Sequence, residues 1–324
     1  MPTYNSSDTI EQALLSIREQ TFDQNQIEII VVDGGSDDCT LMIAKKYGAK
    51  IINNPDRLPE YAKLIGMNAA KGKYMCILDS DEVIKNSDSF TKKFVFMENN
   101  SYVHVAFADL VAPISYNPIC TYMNDAGDPF SCFIYRRWGT TKYNLQKKIH
   151  GKFEECYIYK FSKNDLLPVG DSNTIFDLDY IRKKYDKEMK EIEPAVLWDT
   201  ILRDSFYMGY FEKDYVIHLS KCDLKTYLKK LKFRVINNIH DVRWSGYAAR
   251  AKGDKILNNR KYLFPFYCVS IIGPIFDGLR MAILHKNIVF LYHPLFAWYV
   301  FGVIVIQYFK KLCGKKEINI SYGK

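Results

Sequence analysis

The sequence predicts an α/β protein: a mixed, mostly parallel sheet flanked by helices, followed by an apolar helical segment. Three observations carry that expectation. Apolar strands and helical patterns alternate over the first 80 residues. Two of the strands stop abruptly at acidic or glycine-rich turns. Formal charge almost vanishes from two long runs after residue 262.

Ile10, Leu14 and Ile17 fall at helical spacing, with Asp8 placed to cap a helix over 8–20. Ile27-Glu28-Ile29-Ile30-Val31-Val32 is a β-branched run, hence a buried strand, and it ends at the turn cluster Asp33-Gly34-Gly35-Ser36-Asp37-Asp38. Thr40 to Tyr47 reads as a helix, Ile51-Ile52 as a short strand and Tyr61 to Ala70 as a helix ended by Gly72. Tyr74 to Leu78 is the next strand and runs into Asp79-Ser80-Asp81-Glu82. Between 85 and 175 regularity fades, apart from a strand at Val103 to Ala112 and loops marked by Pro113, Pro118, Gly127 and Pro129. Helical patterning returns over Tyr180–Met189, Ala195–Met208 and Leu224–Asn237.

With 324 residues, 48% of them hydrophobic, the chain can build one large or two ordinary cores. A net charge of +8 suits anionic partners such as nucleotide phosphates or acidic lipids. No recognisable aromatic stacking surface is interleaved with the basic residues, so a nucleic-acid partner is not expected. Eight scattered cysteines form no Cys-x-x-Cys pair, which disfavours zinc ribbons and fits small core residues of a reducing compartment.

Tyr262 to Phe276 is uncharged, and so is Ile288 to Phe309. The second run approaches the roughly 20 residues needed to span a bilayer core. Arg250, Lys252, Lys255, Arg260 and Lys261 precede the pair; Lys310, Lys311, Lys315 and Lys316 follow. The positive-inside rule would put both flanks in the cytoplasm. A hairpin, a re-entrant pair or two helices lying in the interface all fit, as does a pair of buried core helices. Lysines opposite the Leu224, Tyr227 and Leu231 stripe suit an anionic bilayer surface or a solvated face.

Asp79 and Asp81 alternate on an extended chain and so point the same way, where they can share one hard divalent cation completed by phosphate oxygens. Taken alone, the pair also fits a solvated acidic turn. Pro2-Thr3-Tyr4-Asn5, then Val31-Val32-Asp33-Gly34-Gly35-Ser36, then Ala70-Lys71-Gly72-Lys73-Tyr74 with Leu78-Asp79-Ser80-Asp81 occur in order. Here the chain resembles the family-2 glycosyltransferases over roughly residues 1–240. The resemblance implies a GT-A fold with a Rossmann-like sheet, and inverting transfer from a UDP- or GDP-sugar with Mg²⁺ or Mn²⁺.

It also implies roles for particular residues. Thr3, Tyr4 and Asp33 would hold the nucleoside, and Asp79 the ribose-phosphate side. Asp81 and, from Val216-Ile217-His218-Leu219, His218 would hold the cation. Lys63 would meet a phosphate, with Arg57 nearby. Asp199 would be the general base, with Glu193 and then Asp171 in reserve. Each has a plainer alternative: a turn cap for Asp33, a solvated face for Lys63, a surface carboxylate for Asp199, a core histidine for His218.

The chain departs from the family pattern at Gly34, where many relatives carry Asp, and at Ala62-Lys63-Leu64, where many carry Ala-Arg-Asn. It departs again at Trp198, where an acidic residue often stands. The family's apolar first strand has no counterpart before Met1, so roughly five to ten further upstream residues are expected. The expected layout is a catalytic domain over 1–240 and a membrane-associated helical region over 241–324. The catalytic side would be cytoplasmic, with membrane lipids and a glycan or polyprenyl-phosphate-linked acceptor as partners. A non-catalytic, membrane-anchored nucleotide- or metal-binding module is the alternative.

Overall fold

A computed structural model describes residues 1–168, 173–185, 194–240 and 255–315, without the side chains of 194, 195 and 255–257. Asp171, Glu193, Arg250, Lys252, Lys316, the Lys255 side chain and the end of the expected helix over 180–189 lie outside the described residues. The chain forms two compact units, Met1–Pro113 with Lys147–Ser220, and Ile114–Gln146 with Lys221–Lys324. The division thus falls at 220 rather than 240, because the helix after Leu224 packs with the C-terminal helices; residues 114–146 join it as an insertion.

In the first unit, β1 (Pro2–Thr3), β2 (Ile30–Asp33) and β3 (Lys50–Asn53) form a parallel sheet in the order β1-β2-β3. The two residues of β1, Pro2 and Thr3, pair with Val32 and Asp33. Helices α1 (Ile10–Arg18), α2 (Thr40–Lys46) and α3 (Pro59–Ala69) connect these strands and lead on to β4 (Tyr74–Ile77). Thr9, not Asp8, occupies the cap of α1, and it makes no side-chain capping bond.

The chain continues through β5 (Glu82–Ile84), α4 (Ser89–Asn99) and β6 (Val105–Val111). It then supplies α5 (Pro118–Ala126), α6 (Pro129–Tyr135) and α7 (Thr141–Leu145) to the second unit. It returns with β7 (Ile149–Phe153), β8 (Cys156–Lys160), β9 (Thr174–Asp177), α8 (Leu178–Tyr185), α9 (Pro194–Ser205) and β10 (Tyr207–His218).

These strands make a seven-stranded sheet in the order β4-β9-β6-β10-β8-β7, with β5 also on β10. The α/β class holds; the three-stranded sheet is parallel throughout, while the seven-stranded sheet is mixed, with β6–β10 parallel and its other described pairs antiparallel, so that sheet is mostly antiparallel rather than mostly parallel as expected. The helix expected over 195–208 ends at Ser205, and Tyr207 opens β10. Gly209 is required there: a Cβ would stand 2.7 Å from Ala106 Cβ and from Phe96 Cε1.

Apolar clusters of described residues fill this unit. One joins Ile10, Leu14, Val31, Ala44, Leu78 and Val216; another joins Phe96, Ala106, Ile158, Ile175 and Phe211. A buried polar cluster ties α4 to β10: Lys93 pairs with Asp214, which also accepts from Ser89 Oγ at 2.7 Å.

In the second unit, α5 packs with α10 (Leu224–His240), and α6 with α11 (Lys255–Arg260), α12 (Phe264–Val269) and α14 (His293–Leu312); α13 (Ile272–His285) packs against α12 and α14. His293 is wholly buried; its Nδ1 lies 2.7 Å from Tyr122 Oη and its Nε2 lies 3.0 Å from Tyr267 Oη. Tyr267 Oη donates to Asp277 Oδ2 at 3.0 Å. Burial pulls His293 down to about 3 and pushes the Asp277 carboxyl up. Residues Ile288–Leu312 are apolar and long enough to cross a membrane, whereas Asn258–Val269 and Ile272–His285 meet at a 96° bend.

Candidate functional site

β1, β2 and β3 run parallel, so Thr3, Asp33 and Asn53 mark one edge of their sheet. Beyond the carboxyl ends of parallel strands is where ligands of open α/β sheets bind. Asp33 is only 3% exposed, and its carboxylate organises the turn that follows. Oδ2 accepts from the amides of Gly35 (2.8 Å) and Ser36 (2.9 Å), and Oδ1 accepts from Ser36 Oγ at 2.5 Å. Gly35 sits at φ +88°, which a side chain would strain. The loop after β1 is stitched to this turn: Asn5 N donates to Ser36 Oγ at 2.9 Å and Asp37 N to Asn5 Oδ1 at 3.0 Å. Thr3 is buried, and its Oγ1 makes no hydrogen bond. An unpaired buried hydroxyl is costly unless a ligand satisfies it.

Arg57 was legible only as a basic residue upstream of α3. It stands in the loop between β3 and α3 at φ +56°, with its guanidinium 5.8 Å from the centre of the Tyr4 ring. Its Nη2 stands 3.5 Å from where a Gly35 Cβ would be, and its backbone packs beside Gly34. Tyr4, Gly34, Gly35 and Arg57 thus form one wall next to Asp33. The signal in the sequence was position: Arg57 follows a strand end, where binding loops of such sheets lie.

The second cluster lies after β4. Asp79 N donates to Glu82 Oε2 at 2.8 Å, fixing the acidic turn. Lys63 on α3, its side chain 25% exposed, places Nζ 3.2 Å from Asp79 Oδ1. Burial lowers the Lys63 pKa, but Asp79, Glu60 and Glu82 outweigh it and hold the ammonium above its ordinary value. Ser80 Oγ donates to Ser6 Oγ at 2.9 Å, joining this turn to the loop after β1.

Antiparallel pairing of β10 with β5 sets His218 opposite Glu82, and Leu219 N donates to Asp81 O at 2.7 Å. The His218 ring therefore reaches Asp81, with Nε2 3.2 Å from Oδ2. Among the described residues no three His, Cys, Asp or Glu side chains group to hold a metal ion. Asp81 and His218 fit a hard or borderline cation as two donors of an incomplete set, the kind that substrate phosphates and water complete. Asp199 stands on α9, which packs against α3 and β6. Arg203 clasps its carboxylate, Nε to Oδ2 at 2.8 Å. Trp198, the departure from the family pattern noted above, is buried and donates Nε1 to Pro168 O at 2.9 Å.

Motif loops gathered at strand ends around an Asp–His pair, on mixed sheets flanked by helices, form a GT-A-like α/β architecture. The chain belongs to glycosyl transferase family 2, whose family model matches residues 1–165. An uncharacterized glycosyltransferase of Haemophilus influenzae is 37% identical over 120 residues, covering 34% of this chain and 47% of its own length. Glucosyl-3-phosphoglycerate synthase of Petrotoga mobilis is 32% identical over 100 residues, covering 29% of this chain and 31% of its own length. The chain thus spans less than half the length of either relative. A mannosyltransferase of Pyrobaculum calidifontis, solved with GDP-Man and Mn²⁺, superposes with a TM-score of 0.59. That likeness covers 96% of this chain and 86% of the other at 13% identity, so it is one of fold.

Proposed function

We propose that this chain transfers a sugar from a nucleoside-diphosphate sugar, with inversion and divalent-cation assistance, to an acceptor hydroxyl or phosphate that is lipid-linked. The observation that carries the reading is the Asp81–His218 pair at 3.2 Å, set beside the Lys63–Asp79 pair by the β4 turn and β10.

In this reading Asp33 works through the turn it builds, presenting the Gly34–Gly35 backbone and the Tyr4 ring to the nucleoside. Thr3 Oγ1 gains a partner from the donor, and Asp79 faces the ribose. Lys63 turns from Asp79 toward the diphosphate as a point charge. Asp81 and His218 would hold Mg²⁺ or Mn²⁺, which would neutralise charge developing on the leaving diphosphate. Asp199 accepts the acceptor's proton. Arg203 competes for both of its oxygens, so the clasp must loosen for that step. The same clasp favours the second reading, a binding module without turnover.

Catalysis would take place at the cytoplasmic face of a membrane; the apolar outer faces in the second unit support the membrane contact. Incubation of the full chain with a panel of UDP- and GDP-sugars and Mn²⁺ tests the enzyme, with released nucleotide as the readout. Release from one donor, lost in Asp81→Ala and Asp199→Asn, is the expected result. Nucleotide binding with no release from any donor would leave the binding module.

A further inference from the structure

Polarity in the second unit is inverted. A helix on the surface of a soluble protein turns apolar residues inward and polar ones to water. Here Asp277 on α13 and His293 and Gln307 on α14 are buried, 7%, 0% and 1% exposed, and each is hydrogen-bonded inside. The outward positions are apolar: Phe266 is 75% exposed, Ile272 76%, Ile283 75%, Ile288 82% and Phe309 67%. So continuous an apolar exterior marks a surface that is covered in use. Its rim is basic. Lys261, Arg280, Lys286, Lys310 and Lys311 lie in 258–315, where the one acidic residue is the buried Asp277. Cations around an apolar face, with no exposed carboxylate within 258–315, match the anionic headgroups of a bilayer.

Length alone would let α14 cross that bilayer, but its packing forbids it. α14 is fastened along α10: Tyr299 Oη donates to Leu228 O at 3.3 Å, His240 Nε2 lies 3.0 Å from Gln307 Oε1, and Lys311 Nζ donates to Ile239 O at 2.9 Å. Whatever depth α14 reaches, α10 reaches with it. α10 exposes Lys225, Lys229 and Lys232. Each charge at the bilayer centre costs about 2.5–3.5 kcal/mol on insertion scales. The other apolar run cannot span straight either, because α12 and α13 meet at 96° where Ile271 takes φ +59°.

We infer that the second unit is monotopic: the outer faces of α12, α13 and α14 sink into one leaflet of an anionic membrane, and no helix crosses it. The inference rests on the membrane location proposed above and fixes its geometry.

The test uses the full chain. Flotation with sealed vesicles of phosphatidylcholine containing phosphatidylglycerol should recover the protein. The double variant Ile272→Asp/Phe309→Asp, with both sites exposed, should reduce recovery at least tenfold while thermal melting is unchanged. In sealed inside-out membrane vesicles, a membrane-impermeant maleimide should label native Cys313 and a Lys286→Cys variant equally with and without detergent. Native Cys39, exposed in the first unit, is the reference for the cytoplasmic side. Labelling of Cys313 that needs detergent would establish a single crossing. Labelling of Lys286→Cys that needs detergent would establish a hairpin. Either overturns the monotopic arrangement and leaves membrane association standing. Failure to float overturns both, without touching the donor-release assay.

Discussion

Asp81 and His218 are the donors nearest each other in the acidic cluster, and both are half-buried with side chains 32% and 17% exposed. Asp81→Ala removes one of two protein donors without opening a core cavity. Donor turnover should fall by about 10²–10³-fold, the usual loss for one electrostatic stabiliser. The melting temperature should hold, because changes outside the core usually stay within about 0.5 kcal/mol. Two protein donors also predict a cation that binds poorly alone. Mn²⁺ affinity, followed by electron paramagnetic resonance, should rise by about tenfold or more when UDP or GDP is present, within the usual range of coupling between ligands. Equal affinity with and without nucleotide would count against a shared site. Arg57 gives a sharper contrast. Arg57→Gly relieves a left-handed backbone worth about 1 kcal/mol, while both Arg57→Gly and Arg57→Ala remove the guanidinium from the Tyr4 wall. Both should raise the donor KM, and only the glycine variant should melt no lower than the parent.

Among the elements, α4 and β10 depend on Lys93 and Asp214, both essentially inaccessible to water. Lys93→Met strands a buried carboxylate and should cost about 3–5 kcal/mol in chemical denaturation. Adding Asp214→Leu should recover much of that loss, because an apolar pair needs no partner. Asp214 sits at the register shift of β10 between Phe211 and Val216, so the single variant should also disturb His218.

Elements with strong local periodicity were legible in the sequence: α1, β2, α2, β3, α3 and β4 all stand where their patterns place them. The acidic turn after β4 was legible too, through its abrupt change of polarity. β7, β8 and β9 were not, since their short runs of mixed residues take meaning only from antiparallel partners far along the chain. Trp198 shows the same limit. Its indole is used for packing and a carbonyl bond, which no local pattern announces. Arg203 was invisible because its role depends on a carboxylate one helical turn away.

For the whole molecule, the buried His293 sets a pH dependence for the second unit. Its folded pKa, about 3, lies below the ordinary 6.5, so the unfolded chain binds the proton first. Stability contributed by this group is complete above pH 6.5 and is lost as pH falls toward 3, at about 1.4 kcal/mol per pH unit. Asp277 opposes this at the acid end, because its raised pKa makes the folded state take up a proton first. Urea melts of the full chain at pH 7 and pH 5 should therefore differ, with pH 5 less stable, and His293→Gln should flatten the difference.

The strand β10 occupies the middle of its sheet, touching β5, β6 and β8. It is also the final strand of that sheet to leave the ribosome. Until residue 218 has emerged, β6 and β8 each show a bare edge, and the insertion of 114–146 has none of the C-terminal helices against which it packs. Biosynthesis therefore passes through a long interval with open strand edges and uncovered apolar helices, the condition under which nascent chains misassemble. A stop codon or a stalled ribosome before His218 would release a fragment lacking the strand that closes the sheet, so incomplete copies of this chain should be cleared or aggregate rather than persist as folded half-molecules.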